Sequence, residues 1–358
     1  IIYMGIRYLN QFLQKNANKS SIQLYNLSEL TGKKIAVDIS IYLYRYIADN
    51  SLIDSMYLML ILFRTNNITP VFIFDGKPPK EKNDLLQKRK TDKINAKKEY
   101  NNLKLFLETN KELDDNEKQD IHINMEKLKK TFITIQKNDI ENVKNLIRAY
   151  GCTYYDAPGE ADELCAYLTI KNKVWGCLSE DMDMFVYGCP RVLRYFSLLN
   201  HTIVVYNINH ILNDLQLEQK ELREICVLSG TDYNIKQKTK ITLLDTLKYF
   251  KKYDKVRKKI HINNENENEN NREQTIEFYK WLHDNYNNLI VDYEGLTKIY
   301  NMFDLNNYKP SKYFDNIYIQ NTNIEKEQLN KILKEDGFIF PVPLHRLKRK
   351  MRQNPIKN

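Results

Sequence analysis

The sequence predicts an α/β protein built on a mainly parallel central sheet with helices on both faces. Two observations carry this reading. Short apolar runs that end in an acidic residue recur through the first 240 residues, and stretches of helical periodicity separate them. A third is bulk: 42% of the 358 residues are hydrophobic, enough for a sizeable buried core.

Taken in order, Lys34-Ile-Ala-Val-Asp38 reads as a buried strand closing on Asp38, and Pro70-Val-Phe-Ile-Phe-Asp75 as another closing on Asp75. Ser51 to Phe63 between them has helical spacing. Residues Lys80 to Asn145 break the alternation, being long, proline-free and lysine-rich, as in "KRKTDKINAKKEYNNLK". They form either a solvated helical hairpin or a basic cap projecting over a site. Ile140 to Tyr150 and Ala161 to Ile170 are further helical patterns, and Val174 to Leu178 is a strand followed by Ser179-Glu180-Asp181-Met182-Asp183. Glu160 and Asp162 straddle the start of the helix in "APGEADELCAYL". Acids there are favoured by the helix dipole, so on their own they are either a cap or half of a metal site.

After Gly230-Thr-Asp232-Tyr233 the chain turns lysine-rich through Lys236, Lys238 and Lys240, then reads as a helix from Thr242 to Tyr253. "NNENENENNRE", Asn263 to Glu273, offers nothing apolar to bury and reads as a flexible loop. Ile276 to Phe303 and Glu325 to Leu333 are again helical in spacing. Arg346 to Arg352, "RLKRKMR", is a nucleic-acid contact, an import signal or a solvated tail.

Charge and cysteine usage narrow the function classes. Lys+Arg 55 against Asp+Glu 46 gives a formal net charge of +9, which favours a polyanionic partner. Cys152, Cys165, Cys177, Cys189 and Cys226 form no C-x-x-C pair, which argues against a zinc ribbon and for reduced thiols. No apolar run approaches the ~18 residues of a membrane span, and no secretory pattern opens the chain. The expected location is a reducing intracellular compartment, away from membranes.

Collected together, the acids are Asp38, Asp75, Glu160, Asp162, Asp181, Asp183 and Asp232. Two unit charges ~4 Å apart repel by ~4 kcal/mol at an effective dielectric near ~20, so a cluster needs counter-charge. Magnesium suits an all-oxygen donor set. Two such ions ~3.5–4 Å apart would activate a water and clamp a phosphodiester. A phosphatase using Asp181 and Asp183 as its dyad fits less well, because Ser179 and Glu180 separate that pair from its strand.

Met4-Gly5-Ile6, "KKIAVDIS", "PVFIFDGKPP", "APGEADE", "SEDMDMFVYG" and "LSGTDY", in this order and spacing, resemble the flap endonuclease family of structure-specific 5′ nucleases over residues 4–260. The resemblance implies a PIN-like nuclease core in two parts, 4–79 and 146–222, a helical arch at 80–145 and a helical duplex-binding module at 223–260. Beyond these lie a flexible loop at 261–275, a helical region at 276–345 and a basic tail at 346–358. By the same likeness the chain cleaves flapped or branched DNA by a two-metal mechanism in replication and repair, with two Mg2+ ions for which Mn2+ substitutes.

Asp38, Asp75, Glu160 and Asp162 would hold one ion and Asp181, Asp183 and Asp232 the other, while Glu180 matches an acid that is not a direct ligand. Lys82 and Arg89 match basic residues that reach the scissile phosphate, and with Asp38 and Asp181 they make the expected catalytic set. Tyr44 matches an aromatic that stacks on a base, although in "IYLYRY" an aromatic is ordinarily core. Gly5 matches a start of the chain that lies close to DNA. "NIKQKTKIT" departs from the resemblance, since a glycine-containing, cation-binding hairpin is implied there and no glycine is present. Lys236, Lys238 and Lys240 are therefore expected to bind the duplex by side-chain charge, each phosphate contact steepening the salt slope by about one unit. No sliding-clamp peptide is found, and a monomer is expected. The alternative is a non-catalytic junction-binding scaffold of the same fold, against which the complete acid set argues.

Overall fold

The computed structural model describes residues 6–110, 114–234, 241–264, 277–286, 289–306, 308, 310, 314 and 317–338. Gly5, Lys236, Lys238 and Lys240 lie outside the described residues, as do the basic tail and most of the Asn/Glu-rich segment.

Among the described residues, strands β1 (Ile22–Asn26), β2 (Lys34–Asp38), β3 (Thr69–Phe74), β4 (Thr153–Asp156), β5 (Gly176–Leu178), β6 (Arg191–Ser197) and β7 (Thr202–Asn207) form one sheet. Its order is β1-β7-β6-β5-β2-β3-β4. β2 runs parallel to both β3 and β5, β3 to β4 and β5 to β6, while β7 is antiparallel to β6 and β1.

The helices are α1 (Leu9–Asn16), α2 (Ser40–Ala48), α3 (Leu52–Thr65), α4 (Asn83–Thr109), α5 (Asp115–Thr131), α6 (Lys137–Ala149) and α7 (Ala161–Ile170). They continue with α8 (Asp183–Tyr187), α9 (Ile208–Leu215), α10 (Gln219–Ser229), α11 (Leu243–Asn264), α12 (Phe278–Asn285), α13 (Tyr293–Met302) and α14 (Lys326–Glu335). None of these is long and apolar enough to cross a membrane.

Alternate residues of the central strands serve opposite faces. Ile35, Val37, Phe72 and Phe74 pack with Leu43, Phe63, Leu146 and Leu333 from α2, α3, α6 and α14. Ala36, Val71 and Ile73 join Leu164, Phe185, Leu222 and Phe278 from α7, α8, α10 and α12. Burial on both faces is why these strands read as unbroken apolar runs rather than as alternating ones.

β2 and α7 have the bounds that their sequence spacing predicts, and β3 ends at Phe74, which leaves Asp75 as the first residue beyond the strand. α11 runs on past Tyr253 to Asn264, so the first residues expected in the flexible loop are helical. Asp254 supports this extension by pairing with Arg257 at 2.7 Å and Lys258 at 2.6 Å, the spacings that meet on a helix surface. The arch boundary expected at residue 145 falls inside α6, whose Val143, Leu146 and Ile147 are buried in the core.

α4 has 27 residues, which at ~1.5 Å each is roughly 40 Å of helix. It packs against α5, and only Leu85 and Ala96 of its side chains are buried. Lys93 Nζ donates to the Ile133 carbonyl at 2.8 Å, and Lys130 pairs with Asp49 at 3.3 Å, tying the hairpin to its base.

The opposite edge of the sheet is covered from the far end of the chain. Thr153 Oγ1 donates to the Gln320 carbonyl at 3.0 Å, and the Thr322 amide donates to the Gly151 carbonyl at 2.7 Å. Tyr155 donates its hydroxyl to the Tyr318 carbonyl at 3.0 Å. This strap leads into α14, whose Leu329 and Leu333 are buried.

Candidate active site

The chain leaves β2 towards β3 on one side and leaves the adjacent β5 towards β6 on the other, so a crevice opens at the carboxyl ends of these two strands. The acids collect there. Asp38 is the last residue of β2, Asp75 follows β3, and Asp181 lies in the loop between β5 and α8. Asp183 opens α8, Glu160 and Asp162 bracket the start of α7, and Asp232 follows α10.

Local chemistry fixes each group. Asp38 accepts from the Ser179 hydroxyl at 2.9 Å and from the Ser40 amide at 3.2 Å, which locks β2 to the loop after β5. Asp75 accepts from the Ala161 amide at 2.8 Å and from the Ser40 hydroxyl. Gly76 allows the two acid-bearing loops to meet: its amide donates to the Gly159 carbonyl at 2.7 Å, and a Cβ there would lie 2.0 Å from the Ala157 carbonyl oxygen. Asp181 accepts from the Asp183 amide at 2.9 Å, and Asp162 from the Glu163 amide at 2.7 Å.

Glu160 does not cap its helix with its side chain. It occupies the N-cap of α7 without a side-chain capping bond, and its carboxylate accepts instead from Lys82 and, at 2.7 Å, from the Tyr233 hydroxyl. Lys82 is buried, and its ammonium lies 5.6 Å from the Tyr233 ring centroid. Arg89 pairs with Asp232 at 3.1 Å. The base of the hairpin thus brings two cations to the acids, with Arg89 the more exposed of the two.

Asp38, Asp162, Asp181, Asp183 and Asp232 are buried and Asp75 is exposed. Burial, reinforced by the charge of Asp75, pushes the Asp38 carboxyl up to about 7, and burial with Asp232 pushes Asp181 up to about 6. Asp162 is raised by burial and Glu160, and Asp183 by burial and Asp181. Burial pulls the Lys82 pKa down, but Asp162 and Glu160 outweigh it and hold the ammonium above its usual range.

Carboxylate oxygens of Asp162, Asp181 and Asp183 all lie within 4.8 Å of one another, and Asp183 Oδ1 is buried with no hydrogen-bond partner. Crowded, desolvated carboxylates with an orphaned oxygen are a donor set that fits a hard divalent cation. The tightest trio straddles the division into two ligand groups that the family resemblance implies.

Glu180 points away from this cluster, with Arg194 Nε at 3.4 Å from its carboxylate and the Tyr195 amide donating to it at 2.7 Å. Tyr44 is not core: on α2 the neighbouring Tyr42 and Tyr46 turn inward, while Tyr44 stays 38% exposed under Lys93, 5.2 Å from its ring centroid. Tyr233, Ser179 and Ser40 are contributors that the sequence reading did not assign. Their only signal was a place within two residues of Asp232, Asp181 and Asp38 in "LSGTDY", "SEDMDMFVYG" and "KKIAVDIS".

The family model of the XPG N-terminal domain matches residues 4–96, and that of the XPG I-region matches residues 151–232. Flap endonuclease 1 of Xenopus tropicalis is 29% identical over 248 residues, covering 64% of this chain and 61% of that protein. Flap endonuclease 1 of Glycine max is 31% identical over 250 residues, covering 64% and 62% respectively. The chain therefore spans about three fifths of the length of these curated relatives.

The catalytic core of Rad2 in complex with DNA substrate superposes with a TM-score of 0.61 at 20% identity, over 98% of this chain and 99% of that one. Flap endonuclease-1 from Methanococcus jannaschii gives 0.57 at 20% identity, over 98% and 97%. The shared fold is a PIN-like core with a helical arch. Since the two matched XPG regions include all seven acids in their expected order, the chain belongs to the XPG-type flap endonuclease family.

Proposed function

We propose that the chain is a magnesium-dependent, structure-specific nuclease that hydrolyses a DNA phosphodiester near a single-strand/double-strand junction, as a 5′ flap endonuclease with 5′–3′ exonuclease activity. The observation that carries this reading is the meeting of seven carboxylates with Lys82 and Arg89 at one crevice. Asp38, Asp75, Glu160 and Asp162 on one side, and Asp181, Asp183 and Asp232 on the other, would hold two Mg2+ or Mn2+ ions. When bound, such ions supply an activated water and charge stabilisation at the leaving oxygen.

The chain's own residues do the rest. Lys82, held protonated by Asp162 and Glu160, and Arg89, on the open side of the site, present positive charge to the reacting phosphate. Tyr44 offers an exposed ring for a base to stack on. The α4–α5 hairpin, residues 83–131, serves as the arch, and residues 223–260 with Lys236, Lys238 and Lys240 serve as the duplex-binding module. Gly5 would stand near the DNA. Five buried, unpaired thiols suit an intracellular replication or repair role, in a nucleus or a viral-replication compartment, by a monomer.

The decisive experiment is cleavage of a 5′-labelled double-flap DNA by the native protein and by Asp181→Ala, with and without Mg2+. Metal-dependent products near the junction are expected from the native protein, with at least a 100-fold loss in the variant (~3 kcal/mol). Tight binding without any product would instead favour the non-catalytic scaffold.

A further inference from the structure

Tyr195 combines exposure, backbone strain and a rigid mounting. Arg194 lies opposite Val204 and Ser197 opposite Thr202, so β6 carries one residue more than β7 in between, a bulge. Tyr195 takes up this irregularity with φ of 56°, a left-handed conformation that glycine adopts freely and a bulky side chain does not. Its ring is not spent on the core, since Tyr195 is 43% exposed.

The ring is nevertheless held. Asn10 donates to its hydroxyl at 2.8 Å, and the Arg194 guanidinium lies 4.9 Å from the ring centroid. Arg194 also donates to Asn10 Oδ1 at 2.8 Å and to the Glu180 carbonyl at 3.0 Å, while the Tyr195 amide donates to the Glu180 carboxylate at 2.7 Å. The mount that fixes the ring is therefore the same one that clamps the loop bearing Asp181 and Asp183. Two residues before Asn10 stands Tyr8, likewise exposed, left-handed at φ 66° and covered by the Arg7 guanidinium at 4.9 Å.

We propose that Tyr195, joined by Tyr8 at the N-cap of α1, is a stacking platform for a nucleobase close to the reacting phosphate. The inference rests on the nuclease reading above. A guanidinium that covers one side of an aromatic ring leaves the other for a second planar group. A base is the planar group that a phosphodiester site brings with it. Strain of this kind persists where the side chain is used; a bulge that served only to bend β6 would be better made with glycine. Stacking reads no base edge, so the platform accepts any base.

The test uses the full chain and junction DNA with one abasic residue walked through the nucleotides flanking the junction, binding being read by fluorescence anisotropy in Ca2+ and cleavage in Mg2+. With native protein, one abasic position is expected to weaken binding about 5- to 10-fold. Tyr195→Gly should weaken binding of the intact DNA by a similar factor, show no further loss at that abasic position, and match the native protein or exceed it in urea stability. Tyr195→Phe should stay within about 2-fold of native. Native-like binding by Tyr195→Gly, or losses that multiply at every abasic position, would overturn the platform while native cleavage leaves the nuclease reading standing. Native protein that neither binds nor cuts the junction overturns both.

Discussion

At the scale of single residues, the site depends on how its carboxylates are partnered. Glu160 is held by one ammonium, that of Lys82, and one hydroxyl, that of Tyr233. Tyr233→Phe removes the hydroxyl and keeps the ring beneath Lys82, so the carboxylate loses orientation without losing charge balance. Outer partners of this kind are worth about 10- to 100-fold in metal affinity, and one net hydrogen bond about 1 kcal/mol in stability. The Mg2+ concentration for half-maximal cleavage should rise about 10-fold with little change in urea midpoint. An unchanged Mg2+ dependence would show that the hydroxyl has no such role. Neither Tyr233 nor Ser179 was legible as a site residue in the sequence, because a lone hydroxyl beside an acid is ordinary. Its aim at Glu160 or Asp38 is set by elements 73 and 141 residues away.

Among elements, the informative junction is the contact between the loop after β3 and the loop before α7. Gly76 has no room for a side chain, the Ala157 carbonyl oxygen standing 2.0 Å from where a Cβ would be. Gly76→Ala must push these loops apart and with them Asp75 from the Ala161 amide. A stability loss of about 1–3 kcal/mol is expected, as for overpacking. Cleavage should fall by a larger factor than the loss of folded protein accounts for, which denaturation and activity measured on the same preparation would check.

The strands β2, β3 and β5 were legible because burial on both faces writes itself as an apolar run, closed by one acid at the end of β2 and just past β3, and followed by the Ser179-to-Asp183 acid group after β5. β1, β4, β6 and β7 were not assigned from sequence. β1 and β4 lie at the sheet edges and leave side chains partly exposed, as in Ile22 to Asn26, while Arg194 and Tyr195 interrupt β6. The continuation of α11 to Asn264 was hidden for a similar reason: Asp254, Arg257 and Lys258 look solvated in sequence and become helix support only at their three- and four-residue spacings.

For the whole molecule, the cores on the two faces of the sheet are closed by segments far apart in sequence. α14 completes one with Leu329 and Leu333, and α12 joins the other through Phe278 and Leu282. Removing residues 317–338 would uncover the β4 edge and the α6 side of the core together. That variant should unfold at lower denaturant and scatter light on warming, because an open edge pairs with other copies. A truncated protein that kept the native midpoint and stayed monodisperse would show the strap to be dispensable.

The strap also sets an order of events during synthesis. Gly151, Thr153 and Tyr155 receive their partners from Thr322, Gln320 and Tyr318, so this edge stays unsealed until almost all of the described chain has left the ribosome. Contacts of such sequence separation form slowly and leave hydrophobic, strand-bearing intermediates exposed. The nuclease core cannot mature as its own sequence emerges. It must wait, half-closed, for α14, and in that interval apolar surface and an unpaired strand edge stay exposed.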